Sequence, residues 1–221
     1  MNYQFYTIEP VPIDAQLDAL RGILPANSNL RLDVNSVIHR EPLRSEAECF
    51  LVIPPWQAFG RTYDEASQAL FDVIEQKEPA GRFQHVCAHQ RPLIQTPEFE
   101  QKMWNLRGAQ GSQTLFLPVQ LGGRHAGIPF SQVGPRYESD EFPLGPFEFG
   151  IATIVYPSRF STPRGLIGLC PGASDNVGWV WYIKRGDDRA GGEEHPLIVG
   201  AVDPAKPWKD YGVVTAFELV P

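Results

Sequence analysis

Two stretches of this chain carry side chains whose type and spacing suit chemistry. His85, Cys87 and His89 stand two residues apart, so on a strand all three point to one face. Two imidazoles and a thiolate are ligands of zinc and other transition metals, and His125, Cys49, Cys170 or an acid would supply a fourth. At about 3.3 Å per residue, the outer two lie roughly 13 Å apart on a straight strand. One ion collects all three only where the strand ends or bulges between them. Otherwise the triplet reads as a core cysteine between two edge histidines.

The second stretch is Gly122-Gly123-Arg124-His125, which follows the apolar run Leu115-Phe116-Leu117-Pro118-Val119. Read as a ligand site, the two glycine amides form a concave anion nest to which Arg124 and His125 add charge. Read as structure, the glycine pair turns a hairpin between Leu115–Leu121 and Arg124–Phe130. Both can hold together, since a turn at a sheet edge can also present a ligand site. A third candidate is the thiol of Cys170, with His125 or His195 as a base brought near by the fold. His125 and Cys170 are thus the candidate catalytic pair, against the plainer reading of Cys170 as a buried thiol. Trp179, Trp181, Tyr182, Trp208 and Tyr211 offer either a stacking surface for a sugar or base, or core.

These residues need a framework, and hydrophobic periodicity outlines one. Tyr3 to Ile8, Leu30 to Asn35 and the continuously apolar Cys49 to Ile53 read as strands. Pro12 opens a helix with Ile13, Leu17, Leu20 and Leu24 on one side. Thr62 and Glu65 form a capping box ahead of a helix that carries Tyr63, Ala66, Leu70, Val73 and Ile74 on one face. Phe83 to Ala88 reads as a strand. A helix begun at Thr96-Pro97 carries Phe99, Met103 and Leu106 and is expected to end before Gly108. The acid-, Pro- and Gly-rich block from Gly134 to Phe149 reads largely as surface loop. The stretch from Pro146 to Tyr156 suits helix or strand, with helix preferred. Leu166–Cys170, Val177–Ile183, Leu197–Val202 and Val213–Leu219 read as short strands, with 186–194 an exposed loop between antiparallel neighbours.

The resulting expectation is a single α+β domain over residues 1–221, a mixed sheet packed by three or four helices. Texture changes near 108–114, from alternating strands and helices to a mainly antiparallel β second half. A content of 43% hydrophobic and 11% aromatic residues supplies a core and argues against disorder. The formal charge of −7 argues against phosphate-neutralising nucleic-acid binding. Nothing in the sequence reads as a signal peptide or a membrane span. Three dispersed cysteines are too few for a disulfide scaffold, so a cytoplasmic setting is expected. The sequence leaves the identity of any cofactor open. With no nucleophile, base and orienting group at a readable spacing, the chain reads as a non-enzymatic binding protein for a protein partner or small ligand. The alternative is a small hydrolase or transferase using the His, Cys and Arg residues above, with or without a metal.

Overall fold

The computed structural model describes residues 8–25, 43–79, 82–86, 92–160, 167–185, 196–205 and 211–219. The strands expected at 3–8, save Ile8, and at 30–35 lie outside the described residues, as do Cys87, His89, His195, Trp208 and the loop 186–194. The helices are α1 (Ile13–Arg21), α2 (Tyr63–Lys77), α3 (Pro97–Gln110) and α4 (Pro146–Val155). The strands are β1 (Cys49–Ile53), β2 (Phe83–His85), β3 (Ile94–Gln95), β4 (Leu115–Leu121), β5 (Glu141–Pro143), β6 (Ile167–Ser174), β7 (Val180–Arg185), β8 (Leu197–Val202) and β9 (Tyr211–Phe217). They form one mixed sheet in the order β1-β4-β9-β6-β7-β8-β2, with β3 added to β6 and β5 to β9. The β6–β9 and β2–β8 pairs are parallel and the rest antiparallel. This is the α+β architecture that the periodicities imply.

All seven residues of β9 are buried, and strand alternation sends them to two different cores. Val214 and Ala216 join the main core with Trp181, Phe147 and Phe149. Tyr211 and Val213 face the other way, into a smaller cluster with Val133, Leu169, Val180 and Val202. β4 is likewise buried throughout, and its Pro118 is tolerated because that residue pairs only with Phe50 of β1, while β9 engages β4 from Val119 onward.

Because β1 and β9 occupy both edges of β4, a hairpin return has no edge to pair with. The expected strand at Arg124–Phe130 is accordingly absent. After Gly122 (φ 106°) and Gly127 (φ 72°) the chain turns across β9, where the Gly127 amide donates to the Tyr211 carbonyl at 3.1 Å. It continues through short 3-10 turns at Phe130–Gln132 and Gly134–Arg136, which cover the smaller cluster.

The loop expected over Gly134–Phe149 is loop only in its first half. From Glu141 the chain enters the sheet as β5 and then the main core as α4, whose first eight residues are all buried. Its acids misled: Glu141 and Glu148 are buried rather than solvated. The helix preferred over Pro146–Tyr156 is present, with Pro146 in the first turn and, Ile154 apart, burial on every side. Expected to stop before Gly108, α3 instead continues to Gln110 and ends at Gly111, whose φ of 62° makes the left-handed cap.

The start of α2 follows the capping box in part: Thr62 Oγ1 accepts from the Glu65 amide at 3.1 Å, while Glu65 reaches back to the Arg61 amide at 2.9 Å. Thr62→Ala is expected to cost about 1 kcal/mol in urea denaturation, as for other lost N-caps. An unchanged midpoint would mean that water replaces the hydroxyl at no cost.

Candidate functional site

The glycine turn does hold a carboxylate, and the carboxylate is the chain's own. Glu48, just ahead of β1, places Oε1 within 2.9 Å of the Leu121 amide and 3.1 Å of both the Gly123 amide and Gln120 Nε2. Its Oε2 accepts from Arg159 Nε at 3.1 Å. A Cβ on Gly123 would sit 3.0 Å from Oε1, so the residue's smallness belongs to this contact. Four donors around a nearly buried anion leave the nest occupied.

Arg124 and His125 turn away from that nest toward a second acid. His125 Nε2 and Glu141 Oε1 are 2.7 Å apart, both side chains being buried, and Thr215 Oγ1 donates to the same oxygen at 2.6 Å. The Glu138 amide donates to Oε2 at 3.1 Å, and Arg124 pairs with Glu138 at 2.7 Å. Burial pushes the Glu141 carboxyl up, but the hydrogen bonds from His125, Thr215 and the Glu138 amide outweigh it and hold it below the usual range. The order of groups decides what this chain can do. A carboxylate between imidazole and hydroxyl leaves the hydroxyl facing an acceptor that is already committed, whereas nucleophile activation places the imidazole in the middle. Tyr137 closes the imidazole's other side, ring centroids 5.6 Å apart.

Cys170 lies elsewhere. Its neighbour Leu169 faces the smaller cluster, whereas Cys170 faces the main core opposite Trp181. Burial raises its thiol well above the ordinary range and the nearby Glu148 adds to this, which opposes thiolate formation. Cys49 is buried in the same way, and both are free thiols. The catalytic pair proposed from sequence, His125 and Cys170, is therefore divided between opposite faces of the sheet. Of the metal triplet only His85 is described; its ring sits among Phe71, Phe83 and Trp181, with centroids 5.4–6.2 Å away. Among the described residues no group of three or more His, Cys, Asp or Glu is placed to hold a metal ion. Trp181 is core, stacked on Phe71 at 5.9 Å, and Tyr182 meets Tyr211 edge-on.

Two features escaped the sequence reading. The first is Glu148 on α4, whose Oε2 accepts from the Tyr63 hydroxyl at 2.7 Å while Oε1 is buried without a hydrogen-bond partner. Burial raises its pKa above the usual 4.5; Tyr63, backbone amides and Arg107 pull the other way and lose. A lone acid inside Pro146-Phe147-Glu148-Phe149-Gly150-Ile151 was the signal available. The second is a cleft of about 290 Å3 where α2 and α4 end. Ala19 of α1, Ile74, Ile154, Pro157, Phe160 and Leu197 give it apolar walls, and Lys77, Glu78, Thr153 and Arg185 supply polar groups. Its residues come from six separate elements, so no local motif marks it.

No protein-family model matches the chain, and neither the curated proteins nor the solved structures contain a significant match to it.

Since Glu48 already fills the glycine nest, phosphate or sulfate is expected to leave the melting temperature of Arg124→Gln and wild type equally unshifted. An anion-specific rise that Arg124→Gln abolishes would reinstate the turn as a ligand site. Glu148 supplies a pH test. Its raised folded pKa means that its contribution is complete below about pH 4.5 and is lost as pH rises through the folded value. Glu148→Gln, which keeps the group neutral, should therefore gain stability relative to wild type as pH increases from about 4.5 toward neutrality. Parallel urea-denaturation profiles across that range would contradict this.

Proposed function

We propose that the chain is a non-enzymatic binding protein that takes a small, largely apolar ligand in the cleft between the ends of α2 and α4. The cleft carries this reading. It combines apolar walls with a few convergent polar groups, the usual composition of ligand sites, and its volume of about 290 Å3 suits a molecule at the small end of their range. Its walls are held in place. Arg185 spans the carboxylate of Glu78 with two bonds of 2.9 and 3.0 Å and donates Nε to the Phe160 carbonyl at 2.6 Å, tying β7, α2 and the turn after α4 together. A cleft fixed by such a clamp loses little freedom when a ligand enters.

The division of His125 from Cys170, and the elevated thiol of Cys170, lend the hydrolase or transferase alternative less support than the cleft lends to binding. No helix among the described residues is long and apolar enough to cross a membrane, and the free buried thiols of Cys49 and Cys170 fit a cytoplasmic setting.

A thermal-shift screen of small amphipathic compounds against wild type and Ile154→Trp tests the proposal. Ile154 lines the cleft and is half-buried, so the indole fills space with little disturbance of the core. Compounds that raise the melting temperature of wild type should fail to raise that of Ile154→Trp. Stabilisation that is equal in both proteins would place binding elsewhere.

A further inference from the structure

We infer that the ligand of this cleft carries a carboxylate, held at Lys77, with its apolar body against Ile74, Ile154, Phe160 and Leu197. The inference rests on the cleft being the binding site and adds the chemical class of its occupant.

Three charged side chains border the cleft, and two of them cancel. Both oxygens of Glu78 accept from the two terminal nitrogens of Arg185, whose Nε donates to the Phe160 carbonyl. A bidentate pair of this kind presents no net charge. Lys77 is different. It lies one residue before Glu78, in the last turn of α2, and among the described residues it makes no ion pair. The cleft thus keeps one uncompensated positive charge on a chain whose formal net charge is −7. The carbonyls at the end of α2 temper that charge, and one of them, that of Ile74, is already capped by the Glu78 amide at 3.0 Å. Thr153 adds no donor, since its hydroxyl donates to the Gly150 carbonyl at 2.8 Å and offers the cleft only its lone pairs.

Geometry adds a direction. Lys77 is exposed while Ile74 and Leu197 are buried, so the ammonium stands at the mouth and the apolar walls lie deeper. An amphipathic anion enters tail first and leaves its head at the ammonium, still in contact with water. A carboxylate held this way needs little desolvation, which keeps its pairing favourable. A ligand with a cationic head would meet Lys77 as a like charge at the same place.

Isothermal titration with octanoate, octanamide and octylammonium, three molecules of equal chain length, tests the head group. Wild type should bind octanoate about two- to fivefold more tightly than octanamide, the range expected of an exposed pair, and bind octylammonium least. Lys77→Gln should bring octanoate to the octanamide level, and Lys77→Arg should restore the preference, while Ile154→Trp should abolish binding of all three. Equal affinity for octanoate and octanamide, tighter binding of octylammonium, or an octanoate preference that survives in Lys77→Gln would overturn the charge assignment and leave the cleft as an apolar site. Binding of none of the three to wild type at millimolar concentration, or binding unchanged by Ile154→Trp, would overturn the cleft reading itself and this inference with it.

Discussion

A charged carboxylate cannot be buried without partners, and that constraint organises the interior of this protein. Three acids that the composition would assign to the surface, Glu48, Glu141 and Glu148, lie in the fold or at its border, and each has a different solution. Glu48 gathers two backbone amides, a side-chain amide and a guanidinium. Glu141 collects an imidazole, a hydroxyl and an amide. Glu148 has one hydroxyl and keeps one oxygen unpaired, so it meets the constraint by favouring its proton. The first two hold elements distant in sequence: Glu48 joins β4 to the turn after α4, and Glu141 joins β9 to the segment that crosses it.

The same constraint explains the fate of the residues that looked chemical. Arg124 and His125 are drawn to Glu138 and Glu141, and the Gly123 amide to Glu48, so the sharpest local motif is consumed by internal pairing. The cleft escapes because its charges are arranged otherwise. Arg185 and Glu78 neutralise each other along its wall, and the apolar residues between α1, α2 and α4 are left facing open space.

What could be read in advance followed periodicity. The helix begun at Thr62, the buried run Cys49–Ile53 and the strand Leu115–Leu121 were legible because local pattern and local chemistry agree there. The strand after Gly123 was misread because a glycine pair serves a hairpin or a crossing equally, and the choice depends on whether an edge of β4 is free. That depends on β9, almost ninety residues later. Glu141 was read as loop because charge outweighed the apolar residues on either side of it, and Glu148 fell where that loop overlaps the stretch preferred as helix. The cleft was illegible, being assembled from the ends of elements whose meeting no local signal records.

The place of β9 bears on how the chain is made. Among the described strands it comes last in sequence, yet it lies between β4 and β6 and also receives β5. As the polypeptide emerges, β4 meets β1 early, but its other edge stays open, with a row of unsatisfied amides and carbonyls, until Tyr211–Phe217 has been synthesised. Contacts of such long sequence separation make for slow folding. A nascent chain stalled before Tyr211 would present that apolar edge to its neighbours, and so to the chaperones and proteases that watch for it.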